Sequence, residues 1–279
     1  MIHTTSLCTF ALYFTLVVLY LLQMSNQVKL TRVAPVRKLL LYGAVCFHSV
    51  LMGSVLRRYG FTIFESGADL FLWVSWIVSL LFSFSKRLAS APIVALVVIP
   101  LVIAFLGSSS YVMHGDTPGV QLGISERGLV SLSHSVPVLV VLTSFVLLFI
   151  GSVVFLVVER RLRAKDRLYL GDSGVSLEYL DRANKYLAHI GFVGLSLVIA
   201  SGGMRAVTQH KPLSFMDPSV LTGCVVWVLL GVLLHFRLVR QWSPRRLAQC
   251  TVVVAGGFIV SVFLILLITG RITHGAMYA

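Results

Sequence analysis

The chain has 279 residues, 57% of them hydrophobic and only 12% charged, with a mean hydropathy of +0.93 and a net charge of +13. A water-soluble globular domain keeps far more charge on its surface, so that class is excluded. Apolar runs of about 17–25 residues recur along the chain, each long enough to cross a bilayer as a helix. Lipid offers no hydrogen-bond partners, and a helix satisfies its own backbone. The expectation is therefore all-α: a polytopic membrane helical bundle of about eight transmembrane helices, forming one domain over 1–279.

The first helix is expected from Leu7 to Met24. It lacks a basic leading region and a small-residue cleavage site, so it is read as a retained span. A turn with Lys29, Arg32, Arg37 and Lys38 leads to helix 2, ending near Leu56. A polar stretch, Arg57 to Asp69, enters helix 3, which stops at Lys86-Arg87. Helix 4 covers Pro92 to Gly107, and a polar loop runs from Ser108 to Gly128. Helix 5 spans Leu129 to Val158. The longest charged segment, Glu159 to Lys185, precedes helix 6, which ends near Val207. A loop from Thr208 to Asp217 leads to helix 7, opened by Pro218, a position that suits proline. A basic turn, Arg237 to Arg246, leads to helix 8, and the tail follows Gly270.

Seventeen of the 23 Lys and Arg residues fall in the connections after helices 1, 3, 5 and 7. The positive-inside rule makes those connections cytoplasmic, so both termini face outward (N-out/C-out) across a bacterial cytoplasmic membrane. The same distribution argues against nucleic acid as the partner. The basic turns sit beside anionic lipid headgroups instead. Cys8, Cys46, Cys224 and Cys250 lie within apolar runs with no CxxC spacing, so they are read as small core residues.

No phosphate loop, Ser-His-Asp spacing or HExxH is present, and no bond-forming chemistry is expected of this chain alone. Ionisable residues inside a membrane are costly and are the candidates for function. They are His48, His134, His189 and His235, with His274 just beyond helix 8. His48 lies roughly 15 Å in from Lys38, and His235 about 8 Å from Arg240, at about 1.5 Å per residue. His134 and His274 belong to the outer side. Histidines paired on facing helices can hold a metal or haem iron, whereas a single one more often bonds a neighbouring carbonyl. His189 is read as interfacial. Arg57, Arg58, Arg127, Arg205 and Lys211 either bind an anion such as a propionate or snorkel from helix ends. Trp73, Trp76 and Trp227 are read as packing.

Several short motifs share one order. Asp217-Pro218 is followed by Trp227 and then His235-Phe236-Arg237. Gln241-Trp242-Ser243-Pro244-Arg245-Arg246 comes next, and Gly270-Arg271-Ile272-Thr273-His274 closes the series. Upstream lie Phe64-Glu65-Ser66, Phe71-Leu72-Trp73, Ser133-His134 and Leu177-Glu178-Tyr179-Leu180-Asp181-Arg182. Together they resemble the CcsA/HemX branch of the cytochrome c assembly superfamily, a group of haem-handling membrane proteins. Its members show DP, a Trp ten residues after the Asp, LH-x-R, a GWRGRR turn and a closing G-x-x-LH.

That resemblance implies haem b as the bound group. It puts outer ligation on His134 and His274 and an inner site on His235, with His48 matching less tightly. Asp217 and Trp227 join them as cofactor-contacting positions. It implies cytochrome c maturation components or a haem-biosynthesis enzyme as partners, along with membrane lipids. The family's ligases carry WxWD ahead of the proline, where this chain has Ser214-Phe215-Met216-Asp217. That departure makes the chain more similar to the HemX-type branch. Two other readings stay open: a regulatory scaffold that binds no haem and acts through the 159–185 segment, and a small-solute transporter. The transporter would need discontinuous helices, for which Pro100, Gly202-Gly203 and Gly256-Gly257 are the hints.

Overall fold

The computed structural model describes residues 2–25, 30–59, 67–85, 88–89, 91–112, 126–164, 175–208 and 217–275. Among these the secondary structure is entirely helical. In chain order the helices are α1 (Ile2–Met24), α2 (Leu30–Tyr59), α3 (Gly67–Phe84), α4 (Pro92–Val112), α5 (Glu126–Arg163), α6 (Leu177–Thr208), α7 (Pro218–Leu238) and α8 (Pro244–Gly275). α1, α2, α5, α6, α7 and α8 each contain a stretch long and apolar enough to cross a membrane. α3 and α4 carry shorter apolar stretches, Leu70–Phe84 and Pro92–Ser108. The chain is an integral, multi-pass membrane protein.

The outward surfaces agree. Leu7, Phe14, Leu39, Val193, Val207 and Val253 are all more than half exposed. Apolar area spread so widely is unfavourable in water and suits hydrocarbon. Intramembrane hydroxyls are satisfied within their own helices: those of Thr9, Ser49, Ser79, Ser144 and Ser196 each donate to a carbonyl one turn back. That is the local solution open to serine and threonine where water is absent.

Contacts divide the chain into two compact units. In the first, each of α1, α2, α3 and α4 packs chiefly on two neighbours, closing a cycle in that order. Its centre holds Tyr13, Leu16, Leu51, Phe71, Leu72 and Leu106, and Phe71 stacks on Phe105 at 5.1 Å. In the second, α5, α6, α7 and α8 close an equivalent cycle. Phe145 and Phe258 meet there at 4.5 Å. Gly151 lies against the Asn184 amide and Gly194 against Val141, so small residues let α5 and α6 approach closely.

Helix ends differ from expectation at the basic side. Arg32, Arg37 and Lys38 are helical, α5 continues to Arg163, and α6 begins eight residues before Lys185. The extensions carry their own support. Arg163 pairs with Glu159 at 2.8 Å and Arg182 with Glu178 at 2.7 Å, each one turn apart. The cysteines also differ from the core reading, because Cys8 and Cys46 are exposed and Cys224 and Cys250 half-buried. α4, α6 and α8 run unbroken through Pro100, Gly202-Gly203 and Gly256-Gly257, so the transporter hints mark no helix break.

Candidate functional site

His48 lies at the centre of the first unit, with no exposed surface. Its Nδ1 is 3.3 Å from the Tyr13 hydroxyl and its Nε2 is 3.4 Å from the Ser75 hydroxyl. Ser75 donates its own proton to the Leu72 carbonyl at 2.8 Å. Nε2–H of His48 therefore donates to Ser75, and Nδ1 accepts from Tyr13. Both nitrogens of a neutral imidazole are used. Beside it, Trp76 Nε1 donates to Ser49 at 3.0 Å, and Trp73 meets Trp76 edge-on at 5.8 Å. The arrangement is a packed polar core. It does not offer His48 to an iron unless Tyr13 moves away.

His134 lies in the second unit, half-buried, two turns into α5. Its Nδ1 is 3.0 Å from the Ser201 hydroxyl on α6. Its ring lies over Gly202, where an added Cβ would sit 3.4 Å from Cε1. Ser201 also reaches the Val198 carbonyl at 3.2 Å. With the serine proton on that carbonyl, Nδ1–H of His134 donates and Nε2 holds the lone pair. A ring held in this way is typical of metal-bound histidine, where the outer hydrogen bond sets tautomer and orientation.

His274 occupies the last turn of α8, and its side chain lies outside the described residues. Its height follows from helix geometry. Glu159 of α5 pairs with Arg245 of α8 at 3.6 Å, which levels the two helices at their other end. From there His134 is roughly 38 Å along α5 and His274 roughly 44 Å along α8. The two histidines thus stand at one end of a packed helix pair, about one turn apart in height. Arg127, Arg205 and Arg271 occupy the same helix ends.

The remaining candidates have clear local roles. Asp217 caps α7, its carboxylate accepting from Ser219 N–H at 2.8 Å, with Pro218 opening the helix. Trp227 stacks on Phe192 at 5.3 Å and donates to Ser196 at 2.8 Å, tying α7 to α6. His235 is exposed near the end of α7, while Phe236 stacks on Trp242 at 4.1 Å. His189 is half-buried, its Nδ1 2.7 Å from the Lys185 carbonyl. Glu65, Lys211 and the Ser214-Phe215-Met216 stretch lie outside the described residues. Among the described residues no three or more of His, Cys, Asp and Glu converge as a metal cage.

Sequence reasoning missed Tyr13, Ser75, Ser201 and Gly202 as partners of the histidines. It also missed the Arg237–Asp181 ion pair, at 2.7 Å, reinforced by an Arg237 bond to the Asp181 carbonyl at 2.9 Å. That pair joins two of the sequence motifs, one opening α6 and one closing α7. The turn after α7 contains Gln241 at φ 45°, in the left-handed region.

Residues 65–273 match the model of the family described as cytochrome C assembly protein. A cytochrome c biogenesis protein CcsA of Prochlorococcus marinus strain MIT 9312 is 25% identical over 213 residues, covering 67% of this chain and 66% of that protein. Another CcsA, from strain NATL1A, is 25% identical over 219 residues, covering 68% of each chain. The chain therefore spans about two thirds of the length of these relatives. No solved structure matches.

Proposed function

This chain belongs to the cytochrome c assembly protein family, and we propose that it serves cytochrome c biogenesis by holding haem b at the end of its second helical unit. His134 and His274 would hold the haem iron, and the basic connections of the chain face the cytoplasm of a bacterial inner membrane. The observation that carries this reading is the seating of His134, its Nδ1 3.0 Å from the Ser201 hydroxyl and its ring over Gly202.

Haem, when bound, would supply a redox-active iron that imidazole nitrogens can hold. The chain's own part is to orient those nitrogens. Ser201 holds the Nδ1 edge of His134. Gly202 provides room for the ring. α8 carries His274 to within about one turn of the same height. Arg127, Arg205 and Arg271 stand where cations would pair with carboxylate groups such as propionates.

An inner site in the second unit would draw on His235, on an exposed face of α7. Asp217 and Trp227 then contribute by fixing the start of α7 and its packing on α6. Partners are the other components of cytochrome c maturation.

The test is genetic complementation in a bacterial host lacking its own protein of this family. His134→Ala and His274→Ala should each abolish recovery of c-type cytochromes while leaving the protein in the membrane at normal abundance. Unchanged cytochrome levels in both variants would refute the outer pair.

A further inference from the structure

In the first unit, the ends of α1, α2 and α3 enclose a cavity of about 140 Å³. This is roughly ten times the ~10–15 Å³ that one water requires. Arg37 and Lys38 line it, with Tyr20, Tyr42, Ser83 and Ala89. Arg37 is only 6% exposed. Its Nη1 donates to the Gln23 side-chain oxygen, and its guanidinium carbon lies 4.9 Å from the Tyr20 ring centre. The Tyr20 hydroxyl is committed to the Ala89 carbonyl at 2.8 Å, and Ser83 to the Leu80 carbonyl at 2.8 Å.

These partners orient the guanidinium but do not cancel its charge. Among the described residues no carboxylate pairs with Arg37 or Lys38, and none lines the cavity. A buried, unneutralised cation is costly and calls for an anion. Guanidinium carries five donors in a planar fork, and Gln23 uses one, so a bidentate oxyanion can be held. We infer that this cavity binds an oxyanion of the phosphate class, either a lipid headgroup phosphodiester or free inorganic phosphate.

Position favours the lipid. The apolar span of α2 begins at Pro35, that of α1 ends at Met24, and that of α3 ends at Phe84. The cavity therefore sits where hydrocarbon gives way to headgroups. Leu39 and Tyr42, 73% and 54% exposed, provide outward apolar surface beside it.

The test uses the full chain in mild detergent, with dioleoyl phosphatidylglycerol as probe and bound lipid counted by native mass spectrometry. Wild type should retain one lipid, Lys38→Gln should hold it several-fold more weakly, and Arg37→Gln about tenfold more weakly or worse. A thermal melt confirms that each variant is folded. If Arg37→Gln does not fold, the exposed Lys38→Gln carries the comparison. A second arm titrates lipid-stripped protein with inorganic phosphate by calorimetry. Binding there that depends on Arg37 or Lys38, without lipid retention, assigns free phosphate. Failure of wild type to bind either probe would overturn the inference. So would folded Arg37→Gln and Lys38→Gln proteins that bind both probes as wild type does.

Discussion

His134 and Ser201 meet at 3.0 Å across α5 and α6, and Gly202 beside them leaves room for the imidazole. The serine hydroxyl also reaches the Val198 carbonyl at 3.2 Å, and a serine that donates there takes a hydrogen bond from Nδ1–H of the ring. Removing such an outer partner typically lowers metal affinity by about 10–100-fold. Ser201→Ala should therefore weaken haem retention within that range, and Ser201→Thr should restore it. Haem per protein by the pyridine haemochrome assay measures both.

Gly202 gives an independent test of the same geometry. An alanine Cβ would lie 3.4 Å from Cε1 of His134, an ordinary contact. Gly202→Ala should leave haem content within about twofold, because core-like sites feel volume but tolerate simple van der Waals contact. Gly202→Leu must displace the ring and should abolish haem retention while the protein remains in the membrane.

His48 should behave differently from His134. It has no exposed surface, and its nitrogens face Tyr13 and Ser75. Tyr13→Phe removes the hydroxyl that reaches His48 and should cost about 1 kcal/mol of stability per hydrogen bond lost. His48→Ala also leaves a cavity and should cost about 2–4 kcal/mol. Thermal unfolding in detergent measures each loss. A His48→Ala protein that melts like wild type but has lost haem would assign His48 to ligation instead.

Asp181 and Arg237 tie the start of α6 to the end of α7 through a 2.7 Å ion pair and a 2.9 Å bond to the Asp181 carbonyl. Arg237 is mostly buried there, with a side chain 15% exposed. Arg237→Ala should cost about 1.5–3 kcal/mol, as expected of charge-assisted hydrogen bonds. Asp181→Asn should cost less, since the backbone acceptor survives. The difference between the two unfolding midpoints checks this.

Gln241 occupies a left-handed conformation at φ 45°, at the place where the family's turn has glycine. Such a conformation strains an L-residue by about 1–2 kcal/mol, part of which glycine returns in unfolded-state entropy. Gln241→Gly should raise the unfolding midpoint slightly. A lowered midpoint would mean that the Gln241 side chain makes a compensating contact.

The membrane class, the all-helical architecture and the order of the helices are legible in the sequence, because apolar run length speaks directly to bilayer thickness. The basic helix extensions are not. Arg37 and Lys38 resemble loop residues until Gln23 and Tyr20 are seen around the guanidinium, and the 159–185 segment resembles a linker until Glu159 and Glu178 pair one turn along. The histidines are legible as candidates, since ionisable groups in lipid stand out. Their separate fates are not, because the neighbours that decide them are serines, a tyrosine and a glycine on other helices. Helix packing order brings Ser75 to His48 and Ser201 to His134, and no local pattern in the chain encodes that order.

The most direct measurement is the absorption spectrum of the detergent-purified chain, oxidised and dithionite-reduced, beside its His134→Ala variant. The account predicts a Soret band with sharp reduced α and β bands, as low-spin bis-histidine haem gives, and their loss in the variant. A protein expressed with added haem precursor that carries no haem, or a spectrum unaltered by His134→Ala, would contradict it.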